Sequence, residues 1–288
     1  RSATIFSSLM NLDVSHLFQS LYMEGGKNFY CYNGASPLPS AMFSVKYMLS
    51  SNPVDESPLR TLVGSSNGNY LYRNNYCLPL GYMMSEKAIK GWESSMLDRI
   101  GSLNSLAQQL GAKGDMLYPA TCTQSQAAGD TTIDISEDGY YYADYVTCNA
   151  DSLTVSRDDG WTQQYGKTTH RYLLDLGECK AGTKVHITNF NAETIEYHVY
   201  RLNFKAMCTA YETLSEQTMS LEKMTDRRIV GSIDVRQAGR LILSVPADEG
   251  WTLYVDGKKT KIKPFADALI GVHLKEGTHK IELRYTTP

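Results

Sequence analysis

The sequence predicts an α+β fold, predominantly β, in which an N-terminal mixed α/β region precedes an antiparallel β-sandwich of jelly-roll or immunoglobulin-like type with an inserted helix. Three observations predict it. Apolar and polar residues alternate through the C-terminal stretch, with Leu241, Leu243 and Val245, then Trp251, Leu253 and Val255, then Ile281, Leu283 and Tyr285 in phase. Short strand-like runs separated by turn residues occupy residues 132–204. Helical spacing of apolar residues is confined to a few short stretches, three of them before residue 112.

Taken in order, Asp13 is placed to cap a first helix whose apolar stripe is Leu17, Phe18, Leu21 and Tyr22, with Gly25 and Gly26 ending it. Residues 42–50 and 70–72 read as short strands, and Pro53 and Pro58 fence off the loop between them. A second helix is predicted over 85–92. A third covers 95–110, where Met96, Ile100, Leu103, Leu106 and Leu110 share a face and Gly111 is the stop. The polar, small-residue run 121–128 reads as a linker. Three regions follow: 1–125 mixed α/β, 126–222 a sandwich with its following helix, and 223–288 an antiparallel region completing or pairing with that sandwich. Strands are predicted over 132–135, 139–147, 170–176, 183–189 and 195–204. Met207, Ala210, Tyr211, Leu214 and Met219 mark a helix over 206–219. In the tail, Asp256-Gly257 and Glu276-Gly277 supply the positive φ that tight hairpins need.

Composition narrows the function. The chain has 288 residues, 42% hydrophobic and 20% charged, enough for a sizeable globular core. A net charge of −3 leaves no basic stripe to displace counterions from phosphates, so no nucleic-acid partner is expected. Lys258, Lys259, Lys261 and Lys263 form a basic cluster that reads as a solvated hairpin tip; contact with anionic headgroups or a phosphate polymer is the sharper alternative. No window approaches the ~20 apolar residues of a spanning helix. Six scattered cysteines lack metal-site spacing, and a core of this size needs no staples. Buried thiols are therefore expected, with Cys148 and Cys179 the pair to join if any does.

Several segments together carry a resemblance. They are Ser244-Val245-Pro246, Gly250-Trp251, Val255-Asp256-Gly257, Gly271-Val272, Gly277-Thr278-His279 and Leu283-Arg284-Tyr285. Upstream, FSVKYMLS at 43–50 is similar to a "GVKYLLS" strand, and YRNNYCLPLGYM at 72–83 is similar to a "Y-x-N-x-x-x-LP-x-G-F" segment. In this order they resemble the YfhO family of bacterial polytopic membrane proteins, whose plan is similar to that of GT-C glycosyltransferases. Residues 120–191 carry little of the resemblance. The positions it singles out, Lys46, Tyr47, Asn74, Leu78, Pro79, Pro246, Gly250, Trp251, Asp256, Gly257, Gly277, His279 and Tyr285, are expected to be structural. The resemblance implies an excised loop domain on the extracytoplasmic face of a bacterial cell membrane. Its partner would be the transmembrane portion of its own parent protein, with a cell-wall glycopolymer as a second.

Catalytic chemistry has few candidates. The chain lacks a G-x-S-x-G elbow, an H-E-x-x-H helix, a P-loop and a dinucleotide fingerprint, and no catalytic residue, cofactor or metal is expected. Asp130, Asp134, Glu137, Asp138 and Asp144 lie beside tyrosines as in a glycosidase, but Asp138-Gly139 is ordinary turn chemistry. His170, His186 and His198 fall in separate strands, His273 lies opposite the apolar face, and His279 is expected to be partly buried and hydrogen-bonded. The functional opening is aromatic: Tyr140, Tyr142, Tyr145, Trp161 and Tyr165 could stack sugar rings at a sandwich edge, although alternation sends at least one face of 140–145 into the core. Three readings follow. The resemblance implies an accessory, acceptor-facing part of a polyprenyl-phosphate-sugar-dependent glycosyltransferase, inert alone. The aromatic residues suggest a carbohydrate-binding sandwich module. A purely structural cap on the membrane bundle is the third.

Overall fold

A computed structural model of the chain describes residues 5–6, 11–54, 56–146, 148–191 and 194–287. Strand outweighs helix, about 45% to 17%, so the predominantly β class holds. Two antiparallel sandwiches flank a central apolar core built around helices.

In the first sandwich a five-stranded sheet runs in the order Thr162–Gly166, Ser152–Arg157, Lys184–Thr188, Asp130–Ile135, Cys122–Ala127. It faces a four-stranded sheet ordered Leu174–Cys179, Gly139–Tyr145, Tyr197–Leu202, Leu117–Pro119. Period-2 alternation places Ile133, Ile135, Leu153, Val155, Val185 and Ile187 of one sheet against Tyr141, Ala143, Tyr145, Leu174 and Leu176 of the other. The strand Gly139–Tyr145 is buried on both faces, because Tyr140 and Tyr142 enter the central core.

The second sandwich pairs Ser220–Met224, Arg228–Val235, Gly277–Tyr285, Trp251–Val255 and Lys258–Thr260 with a sheet of Leu269–Leu274, Gly239–Pro246 and Gly81–Met84. Its own core contains Leu241, Leu243, Val245, Leu253, Ile281 and Leu283, the residues whose alternation is visible in the sequence. Asp256 (φ 52°) and Gly257 (φ 78°) make the predicted tight turn. Both sandwiches borrow a strand from the first 125 residues, Leu117–Pro119 and Gly81–Met84.

The central core combines Leu12–Ser20, Pro37–Met42, Arg99–Gln109 and Phe204–Ser215, all helical, with Tyr140, Tyr142, Leu202, Ile242 and Phe265 from the sheets. A separate three-stranded sheet, Tyr47–Ser50, Asn69–Asn74 and Arg60–Ser66, lies outside it.

Several local expectations are corrected. Asn11, not Asp13, caps the first helix, its Oδ1 accepting from Asp13 N at 3.0 Å and Val14 N at 3.4 Å, and Gly25–Gly26 is a short strand rather than a stop. The start of 42–50 is not strand, since Pro37–Met42 is helical with proline in its first turn. The expected linker 121–128 contains the edge strand Cys122–Ala127, which has no large apolar residue to betray it. Its Gln124 and Gln126 amides instead donate to Tyr197 O at 3.1 Å and Ile195 O at 2.9 Å. The cysteines form no disulfide, as expected, but only Cys179 is buried and the other five are half-buried: Cys148 Sγ meets Ala150 O at 3.4 Å, and Cys179 Sγ meets Leu176 O at 3.8 Å.

Candidate functional site

A cleft of about 280 Å³ opens where the first sandwich, the three-stranded sheet and the turn after Phe29–Tyr30 converge. Tyr142, Trp161, Tyr165 and Asp175 line it from the sandwich, Met48, Leu49, Ser50, Arg60 and Asn74 from the small sheet, and Tyr32, Asn33 and Gly34 from the turn. Glycine is required at 34: its φ is +81°, and a Cβ there would sit 2.6 Å from Tyr22 O and 2.9 Å from Leu173 N. The close approach lets the turn reach the sandwich and close one wall.

The floor is a fixed polar network. Arg60 donates to Asp175 Oδ2 at 2.7 Å and to the Tyr140 hydroxyl at 2.6 Å, and Tyr140 donates to the same carboxylate oxygen at 2.8 Å. Gly177 N donates to Asp175 Oδ1 at 2.9 Å, and Tyr165 Oη donates to Asp175 O at 2.5 Å. Burial alone would depress the Arg60 guanidinium; Tyr140 and Asp175 beside it reverse this and hold it well above its ordinary value. Burial likewise pushes the phenols of Tyr140, Tyr142 and Tyr165 well up, so all three stay protonated. Groups locked in these states donate and accept hydrogen bonds without exchanging protons near neutral pH.

Two polar atoms of the wall lack partners. Trp161 Nε1 and Gln163 Oε1 are buried and bond to no group among the described residues. Both come from the rim of the first sandwich, where the Trp161 ring also lies 4.7 Å from the Arg157 guanidinium. One is a donor and the other an acceptor.

The predicted aromatic platform is split by the pleat. Tyr142, Trp161 and Tyr165 do meet in the cleft. Tyr145 does not, because it shares a face with Tyr141 and Ala143, sits in the sandwich core and donates to Thr168 O at 2.8 Å. Tyr140 lies beneath the cleft, with its hydroxyl in the Arg60–Asp175 network. Sequence reading missed Arg60, Asn74 as a wall residue, Gln163 and Asp175. They are scattered over more than a hundred residues, and only the fold joins them.

The carboxylate run does not converge. Asp130 lies 3.9 Å from His186, Asp134 3.8 Å from Lys184 and Asp138 3.1 Å from Lys180; Glu137 pairs with Arg201, and buried Asp144 with Arg171 at 2.9 Å. The histidines are equally dispersed: His170 meets Glu24 at 2.8 Å, while His198 sits 3.3 Å from Glu196. Among the described residues no group of three His, Cys, Asp or Glu could hold a metal ion. No described helix is long and apolar enough to cross a membrane.

A family profile described as "Bacterial membrane protein YfhO" matches residues 2–288, including the stretch where the resemblance was faint. The chain belongs to the YfhO family. Comparison with curated proteins gives no match. Among solved structures, a cupin 2 conserved barrel domain protein from Leptotrichia buccalis is 11% identical, with 59% of this chain and 91% of that one covered at a TM-score of 0.15. DesR, a β-glucosidase from Streptomyces venezuelae, is 9% identical over 59% of this chain and 42% of its own, at 0.17.

The positions carrying the YfhO resemblance fall mostly into contacts between distant segments. Asn74 N donates to Lys46 O at 2.9 Å, and its side chain donates to Val45 O at 2.7 Å. Leu78 is buried, while Pro79 O accepts from Ser44 Oγ at 3.0 Å, and that hydroxyl meets Ser244 Oγ at 3.0 Å, two residues before Pro246. Gly250 leaves room for Tyr285, whose ring would lie 2.5 Å from a Cβ there, and Trp251 packs edge-on to that ring at 5.0 Å. His279 Nδ1 bonds Asp256 Oδ2 at 2.8 Å, closing the turn at Gly257 from a strand that starts at Gly277. The Lys46 and Tyr47 side chains are exposed.

Proposed function

We propose that this YfhO-family chain is a glycan-facing domain on the extracytoplasmic side of the membrane. It serves as the accessory, acceptor-holding part of a glycosyltransferase that draws on a polyprenyl-phosphate sugar and modifies a cell-wall polymer such as lipoteichoic acid, with the chemistry performed elsewhere in the parent protein. The observation that supports this is a cleft lined by Trp161 and Tyr165 beside Arg60, Asn74 and Asp175, with two buried, unpartnered polar atoms, Trp161 Nε1 and Gln163 Oε1, on its lining residues. Each buried group without a partner costs roughly 1–3 kcal/mol, so a side-chain shift that lets a sugar hydroxyl, which both donates and accepts, reach either one recovers part of that cost. Tyr142 is buried, so the half-buried Trp161 and Tyr165 offer the apolar surface that the C–H face of a pyranose covers.

Calorimetric titration of the chain with short lipoteichoic-acid-type oligomers tests the reading. Binding is expected, weakened at least roughly tenfold by Trp161→Phe, which keeps a ring and deletes the donor. Equal binding by the variant, or no binding by the parent chain, overturns glycan recognition. Absence of binding together with lost polymer glycosylation when the domain is deleted from the full-length protein would favour a structural cap.

A further inference from the structure

The three-stranded sheet has one face turned to the body of the molecule at Tyr72 and one that is exposed among the described residues. Cross-strand register puts Leu49 opposite Leu71 and Gly64, and Tyr47 opposite Arg73 and Thr61, on the same outer face. Leu49 is 70% exposed, Tyr47 52%, Val63 at the bulge 46% and Leu71 38%. A Cβ on Gly64 would meet nothing within 4 Å, so the face is open at the edge strand Arg60–Ser66. Tyr72, on the alternate face, is 2% exposed, which shows that the sheet is packed on its other side.

Charge on this sheet is one-sided. Its three strands contain no carboxylate, although the whole chain carries 31 acidic residues against 28 basic ones; of their two arginines, Arg60 is paired with Asp175 in the cleft floor and Arg73 is exposed. Lys46 adds a cation at the border, its ammonium 5.4 Å from the centre of the Tyr47 ring. Glu56, which accepts from Leu62 N at 2.9 Å, lies by the opposite edge strand. The hairpin tip, Ser65-Ser66-Asn67-Gly68-Asn69, is polar, so the sheet would be buried by its flank and not tip first.

We infer that this outer face seats the domain on an anionic bilayer surface, with Leu49, Leu71 and Val63 reaching the acyl boundary, Tyr47 at headgroup level, and Lys46 and Arg73 on the phosphates. Aliphatic side chains, an interfacial tyrosine and flanking cations are the chemistry that partitions into the interface of a membrane and not into its centre. The match to a membrane-protein family puts a bilayer next to the chain. Met48, Leu49 and Ser50 also line the cleft, so docking by this face brings the cleft mouth to the headgroups. This inference does not rest on the cleft binding a glycan.

Flotation of the chain with vesicles tests it, using phosphatidylcholine alone and phosphatidylcholine mixed in equal parts with phosphatidylglycerol. The parent chain is expected to float with the mixed vesicles. Leu49→Ser with Leu71→Ser should weaken partitioning at least roughly tenfold. Lys46→Gln with Arg73→Gln should weaken it roughly tenfold on anionic vesicles and leave the neutral ones unchanged. Leu221→Ser with Met224→Ser, exposed apolar residues of another sheet, should change nothing. Unaltered urea midpoints identify properly folded variants. Equal flotation of the Leu49/Leu71 variant, no flotation of the parent chain, or a dimer in sedimentation that this variant abolishes would each overturn the assignment; the last would give the face to a second copy.

Discussion

The two sandwiches are built from the same antiparallel pairing and differ in what lies outside them. In the C-terminal one the five-stranded sheet keeps a wet outer face with solvated pairs such as Arg228–Glu282, where Arg284 and then Arg228 pull the Glu282 carboxyl down to about 2, while its three-stranded sheet is covered on both sides, Leu241 and Leu243 facing the sandwich core and Ile242 and Met84 the central one. In the other, the strand Gly139–Tyr145 is covered on both sides, and its second face meets a buried ion pair, a tyrosine hydroxyl and a cleft with two orphaned polar atoms. A sheet with one wet face can satisfy its polar groups with water. A strand with two covered faces must satisfy them internally, as Tyr140 does through Arg60 and Asp175, whereas Tyr82 Oη of the C-terminal sandwich is left without a partner among the described residues.

Severing the ion pair of each sandwich separates them most. Arg60→Met leaves the Asp175 carboxylate of the cleft floor without its cation, and a loss of roughly 3 kcal/mol is expected by urea unfolding, the low end for a broken buried pair because Asp175 retains some solvent. Arg228→Gln on the C-terminal sandwich should cost under about 1 kcal/mol. Similar losses at both would erase the contrast.

A smaller effect concerns packing at Gly250. Gly250→Ala drives a Cβ to 2.5 Å from the Tyr285 ring and 2.6 Å from Thr286 O, and should cost about 1–3 kcal/mol without touching the cleft. Unchanged glycan binding in this variant, measured beside its lowered urea midpoint, would show that the two regions are energetically separate.

The Asp256–His279 pair gives the C-terminal sandwich a pH signature. Hydrogen bonding to His279 lowers the Asp256 carboxyl, so its contribution is present above the ordinary carboxylate range and fades as pH falls through the lowered value. Hydrogen bonding to Asp256 raises the His279 imidazole, so that contribution is full below the ordinary imidazole value and disappears as pH rises through the raised one. Stability should therefore peak between these two transitions and decline on the alkaline side by under about 1 kcal/mol, since both groups are solvent-screened. His279→Gln should flatten that decline in urea midpoints taken across the range.

Least in stability but most pointed is Trp161→Phe. Deleting an unpartnered donor should leave the unfolding free energy unchanged or raise it by about 1 kcal/mol, whereas a donor that mattered to the fold would lower it.

The same difference explains what the sequence made legible. Trp251–Val255 and Gly277–Tyr285 alternate cleanly because each has one wet face, and the turns beside them carry Asp-Gly and Glu-Gly, whereas Leu241-Ile242-Leu243 is continuously apolar because that strand is covered on both sides. Cys122–Ala127 was invisible because an edge strand held by backbone pairing and glutamine amides needs no apolar residues. Ser152–Arg157 escaped because one of its inward positions is Arg157, whose charge is satisfied inside by Glu178 O at 3.0 Å and Asp159 at 2.9 Å. The tyrosine run hinted at the cleft, but which tyrosines reach it depends on a pleat whose second face is covered by residues far away in sequence. Asp175 and Arg60 look like any surface charges until the fold buries them together.

The three tryptophans make the central claim directly measurable. Trp92 Nε1 already donates to Ser102 O at 2.9 Å, and Trp251 lies in the other sandwich, so an NMR titration with wall-polymer oligomers has three indole resonances to follow. Glycan binding in the cleft predicts that the Trp161 indole proton moves downfield and exchanges more slowly while Trp92 and Trp251 stay in place. A saturating shift at either of those, with Trp161 unmoved, would contradict it.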